Sequence, residues 1–302
     1  MDCLHTKFLN VDFKNPVIAA SGTYGYGREY ENLYPLEKLG GISVKGTTLL
    51  PKPGNPVPRI AETPSGMLNS IGLENPGIDA FINNELPDLQ KKDIAVILNI
   101  SGNTPEQYGE IAAKASLQPG VDIIEVNISC PNVKQGGAAF GTSKEAAFAV
   151  TKAVREATNL PVMVKLSPNV TKITEIAKAC EDAGADGLSL INTLLGMRID
   201  VKTRRPILAN VMGGLSGPAI FPVAVRMVYE TARAVKIPIC GMGGISTAED
   251  ALEIMMAGAQ TFQIGAAIFA DAYAPLKIAE DLSEWCRING VKNISEIIGV
   301  CK

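Results

Sequence analysis

The chain has 302 residues, of which 46% are hydrophobic and 20% are charged, and this ordinary balance excludes a disordered or fibrous protein. Basic residues number 28 and acidic residues 31, so the formal net charge of −3 leaves no basic excess to neutralise nucleic-acid phosphates. No apolar run approaches the roughly 18 residues that a membrane span requires, and the N-terminal residues lack the pattern of a signal peptide. We therefore expect a cytoplasmic protein that binds neither nucleic acid nor membrane.

The cysteines and the single histidine limit the available chemistry. The six cysteines are widely spaced and form no C-x-x-C pair, which favours reduced thiols and excludes a local four-cysteine metal site. We expect no metal ion, and we expect Cys180 and Cys240 to be small core residues. His5 is the only histidine and is expected to be structural, so acid–base catalysis must come from another residue type.

Eight short apolar segments alternate with helical stretches along the chain. Most of these segments are continuously apolar, which is typical of strands buried on both faces of a parallel sheet. Helices are predicted over 145–158, 171–183 and 247–257 from the spacing of their apolar residues. The sequence at 246–249 predicts a capping box for the last helix, and Gly258 predicts its end. The strands are predicted at 17–21, 41–45, 94–100, 123–128, 161–166, 187–191, 237–240 and 261–264.

This alternation predicts an α/β fold, a (β/α)8 TIM barrel formed by a single domain over 1–302. An N-terminal hairpin around Asn10 is expected to close the bottom of the barrel. Long loops follow strands 2 and 6, and connections of that length in a compact domain are usually functional or disordered. Active sites of TIM barrels lie at the carboxyl ends of the strands, so the residues at those ends are the candidates.

Glycine-rich turns follow the last two predicted strands, GMGGIST at 241–247 and QIGAAI at 263–268. Backbone N–H groups at such turns bind phosphate, and TIM barrels commonly place a phosphate site after strands 7 and 8. Tight turns alone would account for either motif, but the two together favour a phosphate site. The GGLSG run at 213–217 could add another backbone donor.

Two lysines and one cysteine carry a further chemical signal. Lys45 and Lys165 follow buried apolar runs, where an ammonium group needs a partner such as a phosphate, a carboxylate or a reducible ring. A structural ion pair with Glu125 is the alternative. Cys130 follows the fourth strand and precedes a glycine-rich stretch that suits a lid. Its position favours a reactive thiol over a small hydrophobic cysteine.

Nine short motifs, rich in glycine and polar residues, are spread over nearly the whole chain. They are SGTYGYG (21–27), VKGTT (44–48), NSIGLENPG (69–77), VNISCPN (126–132), VKLSPNV (164–170), INTLLGMRID (191–200), GGLSGPA (213–219), GMGGI (241–245) and IGAA (264–267). In content and order these motifs resemble the dihydroorotate dehydrogenase family. NTLLGMRID and the overall spacing resemble most closely the NAD-linked class 1B catalytic subunit. Cys130 at the base position disfavours the branch that uses a serine base and carries a membrane helix.

The resemblance implies an FMN-dependent oxidoreductase that acts on a CH–CH group and oxidises (S)-dihydroorotate to orotate in pyrimidine (UMP) biosynthesis. It implies that Cys130 is the base at C5 and that the hydride from C6 passes to FMN. Electrons would then reach NAD⁺ through a partner subunit that carries FAD and a [2Fe–2S] cluster. This chain itself has neither cysteine spacing for a cluster nor a G-x-G-x-x-G turn. A heterotetramer of two catalytic and two electron-transfer subunits is expected.

The functional positions implied by the resemblance lie mostly at the predicted strand ends. FMN is expected to contact Ser21, Lys45, Gly46, Asn99, Asn127, Lys165, Ile191, Gly217, Gly243, Gly244, Gly265 and Ala266. The substrate is expected to contact Lys45, Asn69, Ser70, Ile71, Gly72, Leu73, Asn127, Asn192 and Thr193.

Several other functions stay open at this point. A non-catalytic flavin-holding barrel that serves as an electron conduit or scaffold, and a dihydropyrimidine or dihydrouridine reductase, would each keep the flavin. A fumarate-linked, class 1A-type dihydroorotate dehydrogenase would keep the flavin but use another electron acceptor. A different phosphate-binding TIM-barrel enzyme would keep the glycine turns and need no flavin.

Overall fold

The structure, a computed structural model, describes residues 2–129 and 140–301. Its centre is a closed barrel of eight parallel strands, which confirms the predicted TIM barrel. In chain order the strands are β1 (Thr6–Phe8), β2 (Val11–Phe13), β3 (Val17–Ala19), β4 (Gly41–Ser43), β5 (Ile60–Thr63), β6 (Gly66–Asn69), β7 (Ala95–Ile100), β8 (Ile123–Asn127), β9 (Val162–Lys165), β10 (Gly187–Leu190), β11 (Leu194–Met197), β12 (Ile199–Asp200), β13 (Arg205–Pro206), β14 (Met212–Ser216), β15 (Ile239–Met242) and β16 (Thr261–Ile264). Neighbouring barrel strands follow the order β3, β4, β7, β8, β9, β10, β15, β16 and back to β3.

Helices cover the outside of the barrel and bury their apolar faces against it. The three predicted helices are present, with bounds that differ by up to two residues from those predicted. Within the described part of the chain, no helix has the length and apolar character that a membrane crossing requires. The helices are α1 (Arg28–Glu31), α2 (Ile78–Ala80), α3 (Leu86–Leu89), α4 (Pro105–Ser116), α5 (Lys144–Ala157), α6 (Ile173–Asp182), α7 (Phe221–Ala232), α8 (Ala248–Ala257), α9 (Ala267–Ala270) and α10 (Ala274–Asn289).

The capping box of α8 lies one residue later than predicted. The Thr247 hydroxyl accepts a hydrogen bond from the Asp250 backbone N–H at 3.1 Å, and the Asp250 carboxylate accepts one from the Thr247 backbone N–H at 3.0 Å. The predicted box over 246–249 is therefore wrong, because Asp250 and not Glu249 occupies the third helical position. Gly258 ends the helix as predicted.

The amino ends of the barrel strands are closed by an apolar plug. The antiparallel pair β1 and β2 places Phe8 and Phe13, both fully buried, against the first inward residues of the barrel strands. Ile97, Ile123 and Met163 belong to the same buried cluster. Since large apolar side chains fill this end, polar chemistry is confined to the opposite end of the barrel.

The two long connections predicted after strands 2 and 6 of the barrel meet each other. The hairpin β5–β6 from the first connection joins β11 and β14 from the second in a four-stranded antiparallel sheet, in the order β11-β14-β6-β5. The contact between the two connections is the β14–β6 pairing, in which Gly214 is opposite Asn69. This sheet brings Asn69 and the residues after it to the carboxyl end of the barrel.

Candidate active site

A cavity of about 1250 Å³, measured with the space that opens to solvent, lies at the carboxyl end of the barrel. Every barrel strand contributes at least one lining residue, either from its carboxyl end or from the loop just after it. The arrangement agrees with the general position of active sites in this fold. The lining residues that follow or end the eight strands include Ser21, Lys45, Asn99, Asn127, Lys165, Asn192, Gly243 and Gly265.

Nearly all of the residues expected to bind FMN or substrate line this one cavity. Ser70 does not line it; its side chain is fully buried, and its backbone N–H donates to the Arg59 carbonyl oxygen at 2.8 Å. Cys130, the residue expected to be the base, lies outside the described residues. Besides the eight residues named above, the expected residues that line the cavity are Gly46, Asn69, Ile71, Gly72, Leu73, Ile191, Thr193, Gly217, Gly244 and Ala266.

The glycine turn after β15 has a backbone that only glycine adopts without strain. Gly243 has φ +119° and Gly244 has φ +86°, both in the left-handed region. A Cβ atom added to Gly244 would lie 2.7 Å from the Gly217 carbonyl oxygen and 2.9 Å from the Phe221 backbone nitrogen. The absence of a side chain therefore lets three chain segments approach each other at the rim of the cavity.

The same rim presents backbone donors to the cavity. Within residues 2–129 and 140–301, the backbone N–H groups of Gly243, Gly244, Gly265 and Ala266 donate no hydrogen bond. Gly265 is also uncrowded, since an added Cβ would meet nothing closer than 3.7 Å. Unused N–H groups that converge after adjacent strands are suited to bind an anion such as a phosphate.

One wall of the cavity is formed by amides whose orientation is fixed. The Asn127 Oδ1 atom accepts hydrogen bonds from the backbone N–H and the hydroxyl of Ser129, at 3.2 and 3.0 Å. The Asn192 amide donates to the same Ser129 hydroxyl at 2.7 Å, and its Oδ1 accepts from the Thr193 backbone N–H at 2.7 Å. Because its oxygen is engaged in this way, Asn127 offers its NH₂ group to the cavity.

Lys165 places a cation at the floor of the cavity, with only 6% of the residue exposed. It lies opposite Asn127 on the neighbouring strand, and opposite Ser189 on the other side. In the described part of the chain it forms no ion pair at contact distance with Glu125, so the structural ion pair considered above is absent. The two charges nevertheless interact: burial alone raises the pKa of Glu125, but the Lys165 charge and hydrogen bonds from Asn99, Ser43 and Ser189 together lower it.

Sequence reasoning missed Gln263 and the central position of Glu125. Gln263 lines the cavity from β16, and its side chain donates to the Glu125 carboxylate at 2.7 Å. The available signal was a long polar side chain within a short, mainly apolar strand, Gln263 in TFQI and Glu125 in IIEVN. A polar side chain in a strand buried on both faces needs a partner, and in a closed barrel that partner lies across the interior.

Comparison with known proteins agrees with this geometry. The family model for dihydroorotate dehydrogenase matches residues 3–285. The "Dihydroorotate dehydrogenase B (NAD(+)), catalytic subunit" of Geotalea uraniireducens is 56% identical over 98% of this chain and 97% of its own length. Proteins with the same name from Desulforamulus reducens and Geobacillus kaustophilus are 55% and 54% identical, over 98% and 99% of this chain and 97% and 96% of their own lengths. A match over nearly the whole barrel, with the cavity residues in place, shows that the chain belongs to the dihydroorotate dehydrogenase family.

Proposed function

We propose that this chain is the catalytic subunit of an NAD-linked dihydroorotate dehydrogenase, which oxidises (S)-dihydroorotate to orotate in pyrimidine biosynthesis. The observation that carries the proposal is that one cavity joins an anion-binding rim of glycine N–H groups to a floor and wall of lysines and oriented amides. The rim suits the phosphate of FMN, and the polar floor and wall suit a flavin ring with a planar, charged substrate beside it. The names of the relatives support the same assignment.

The cavity fits FMN on observations that do not depend on the relatives. The unused N–H groups of Gly243, Gly244, Gly265 and Ala266 provide for the phosphate. Lys165 would face the pyrimidine part of the ring, where negative charge accumulates on reduction. When bound, FMN supplies an acceptor for two electrons. The protein residues bind it, orient it and hold the charge beside it.

The substrate carries a carboxylate and a ring with two carbonyl oxygens and two N–H groups. We assign the carboxylate to Lys45, because an anion is the partner that a half-buried ammonium favours. We assign ring carbonyl oxygens to the Asn127 amide, whose NH₂ group is directed to the cavity by Ser129. The segment from Asn69 to Leu73, held over the barrel by the four-stranded sheet, would cover the substrate and exclude water.

Oxidation of dihydroorotate removes a proton from C5, and a proton with two electrons from C6, to form the C5–C6 double bond. We assign removal of the C5 proton to the thiolate of Cys130, which follows Asn127 at the end of β8 by three residues. No other cysteine is near this position in the sequence, and the only histidine, His5, precedes the barrel. Acid–base catalysis by a positioned group contributes roughly 10²- to 10⁴-fold in rate.

Electron transfer to NAD⁺ requires further redox cofactors, which we assign to a second polypeptide. The names of the relatives include "catalytic subunit", which implies a partner. We propose that the partner carries FAD and a [2Fe–2S] cluster, and that two copies of each chain form a heterotetramer. A cytoplasmic location belongs to the same proposal.

The proposal is tested by anaerobic titration of the FMN-loaded chain with dihydroorotate while the flavin spectrum is followed. We expect the flavin absorbance to bleach in proportion to added substrate, with orotate as the product. Failure of the folded chain to bind FMN, or a bound flavin that dihydroorotate does not reduce, would contradict it. Adding NAD⁺ or fumarate to the reduced chain tests the acceptor: we expect no rapid reoxidation by either, and rapid reoxidation by fumarate would favour the class 1A-type enzyme.

The base is tested by Cys130→Ala, with Cys301→Ala as the matched control because Cys301 is exposed near the C-terminus. We expect Cys130→Ala to bind FMN and orotate normally but to turn over at least about 100-fold more slowly near neutral pH. The control should keep its full rate. Near-normal turnover by Cys130→Ala would remove this cysteine from the role of base.

A further inference from the structure

A buried polar cluster beneath the cavity floor is centred on a carboxylate to which the proposed function gives no role. At its centre the Glu125 carboxylate, which is completely buried, accepts four hydrogen bonds of 2.7 Å each. Ser43 and Asn99 donate to its Oε2 atom, while Ser189 and Gln263 donate to its Oε1 atom. The four donors come from β4, β7, β10 and β16, so the carboxylate connects strands on different sides of the barrel.

A buried carboxylate is costly for a barrel that could be filled with apolar side chains. Removing a charge from water is unfavourable until its hydrogen bonds compensate, and apolar replacements for buried charges are often neutral or stabilising. The lower half of this barrel is filled in that apolar way, around Ile123 and Met163. Stability alone therefore does not account for a carboxylate one layer higher.

The first consequence of the cluster is that it orients two amides. Asn99 and Gln263 both direct their NH₂ groups at Glu125, so their carbonyl oxygens are directed elsewhere. Both residues are at most 1% exposed, both line the cavity, and both carbonyl oxygens are buried without a hydrogen-bond partner in the described residues. The Asn99 oxygen lies beside Gly46, another cavity residue, where an added Cβ would be 3.0 Å from it.

Neither of these two buried acceptors has a donor within residues 2–129 and 140–301. Buried carbonyl oxygens are nearly always hydrogen-bonded, so two unsatisfied ones at one cavity floor indicate a ligand that brings hydrogen-bond donors. The FMN proposed for this cavity brings such donors: the N–H at N3 in the pyrimidine part of its ring and the hydroxyls of its ribityl chain. If either amide were turned over, it would present NH₂ to that edge of the ring instead.

The second consequence concerns charge. Lys165 lies on β9 at the cavity floor, and Glu125 lies on the neighbouring strand β8. The charge of Lys165 acts on the Glu125 carboxylate. The ionised carboxylate gives Lys165 a counter-charge from below. The floor then has almost no net charge before any cofactor is reduced.

We propose that Glu125 is a positioning residue for the flavin: it fixes Asn99 and Gln263 as hydrogen-bond acceptors at the floor and balances the charge of Lys165. The inference rests on the proposed FMN site and names no contact between Glu125 and the cofactor. Its effect is exerted through three other side chains. This role accounts for the burial of the Glu125 carboxylate and for the buried carbonyl oxygens of Asn99 and Gln263, which have no partner in the described residues.

The charge part of the inference is tested with Glu125→Gln, a change of nearly equal volume. We expect the positive charge of Lys165, no longer balanced, to favour reduced FMN over oxidised FMN by at least tenfold in the ratio of binding constants. For a two-electron couple this corresponds to a rise in reduction potential of about 30 mV. The potential is measured by equilibration with reference dyes under anaerobic conditions. An unchanged or lower potential in a variant that binds FMN would overturn this part.

The orientation part is tested with a matched pair that leaves Glu125 in place. Gln263→Met and Ser189→Ala each remove one donor to the same Oε1 atom, but only Gln263→Met also removes an acceptor from the cavity floor. We expect the Kd for FMN to rise at least fivefold in Gln263→Met and to stay within twofold in Ser189→Ala. Equal effects in the two variants, whether large or absent, would overturn the orientation of the amides as the cause. This pair decides the matter even if Glu125→Gln does not fold.

These outcomes are separable from failure of the proposed function. Wild-type chain that does not bind FMN after reconstitution would remove the proposed function itself. Wild-type chain that binds FMN and is reduced by dihydroorotate, while the variants behave like it, would leave that function intact and remove only the role of Glu125.

Discussion

The two ends of this barrel are built from the same strands and differ in what the strands present to the interior. Along β8, the inward positions Ile123, Glu125 and Asn127 are successively apolar, charged and amide. Along β9, Met163 is followed by Lys165 two residues later. Because side chains of a strand alternate in direction, a step of two residues moves one layer up the barrel on the same face. Two steps therefore separate an apolar plug from a polar cavity.

The comparison separates the residues that hold the barrel closed from those that perform chemistry. At the amino end, the hairpin β1–β2 covers side chains that are buried against one another. At the carboxyl end, glycines and polar groups stay uncovered, and a four-stranded sheet from two long connections lies over them. Substitutions below the Glu125 layer should change stability alone, and substitutions above it should change ligand binding.

The largest expected effect comes from the plug. Phe8 is fully buried in it, and Phe8→Ala should lower the free energy of unfolding by about 3–5 kcal/mol, because it removes buried area and leaves a cavity. Urea unfolding of the cofactor-free chain measures the change. Leu117→Ala is the control, since Leu117 is 80% exposed, and it should stay within about 0.5 kcal/mol of wild type. If folded Phe8→Ala lost FMN affinity by more than tenfold, the two ends would not be independent.

The next effect concerns the rim. Gly244→Ala combines a left-handed backbone with a Cβ 2.7 Å from the Gly217 carbonyl oxygen, so the turn that we propose to bind the FMN phosphate must shift. A strain of about 1–3 kcal/mol predicts a Kd for FMN that is roughly 5- to 150-fold higher. Isothermal titration with FMN measures it.

Gly290→Ala is the matched control for that experiment. Gly290 has φ +68°, also left-handed, but an added Cβ meets nothing within 4 Å, and the residue ends α10 and does not line the cavity. This variant should lose about 1 kcal/mol of stability and none of its FMN affinity. Equal losses of FMN affinity in the two variants would assign the effect to general destabilisation.

The sequence was sufficient to predict the barrel because its strands are short, continuous and apolar. Most of the cavity was predicted from strand ends and from the family motifs, since the fold itself places carboxyl ends together. The partners of Glu125 were not predicted, because four of the strands reach it only after the barrel closes. The spacing of residues along the chain does not indicate which inward side chains lie at the same height in the closed barrel.

Two further features depended on geometry that local patterns do not contain. The meeting of the two long connections in one sheet is a contact between segments more than 120 residues apart, and nothing in either segment specifies the other. The capping box moved by one residue because Ser246 and Thr247 are both suitable caps, and the choice depends on which acidic residue reaches back. Asp250 does so, with the shorter side chain.

The smallest expected effect tests how dry two buried regions of the protein are, the packing of helix α6 around Cys180 and the lower half of the barrel around Cys240. Burial raises the pKa of the Cys180 and Cys240 thiols to about 12, and both are fully buried as expected from the sequence. At pH 8 only about one thiol in 10⁴ with such a pKa is ionised, and each higher pH unit raises that fraction tenfold. Iodoacetamide labelling read by mass spectrometry should therefore modify Cys301, which is exposed, and leave these two unmodified in the native chain.

Cys240 is the more informative of the two cysteines. It lies beside Ser189 in the sheet, at the boundary between the plug and the Glu125 cluster. Unfolding in guanidinium should make every cysteine label equally and serves as the positive control. Labelling of native Cys240 at the rate of Cys301 would show that water and reagent reach the layer of Glu125 from below. The separation between a dry plug and a polar cavity, on which the role of Glu125 depends, would then be lost.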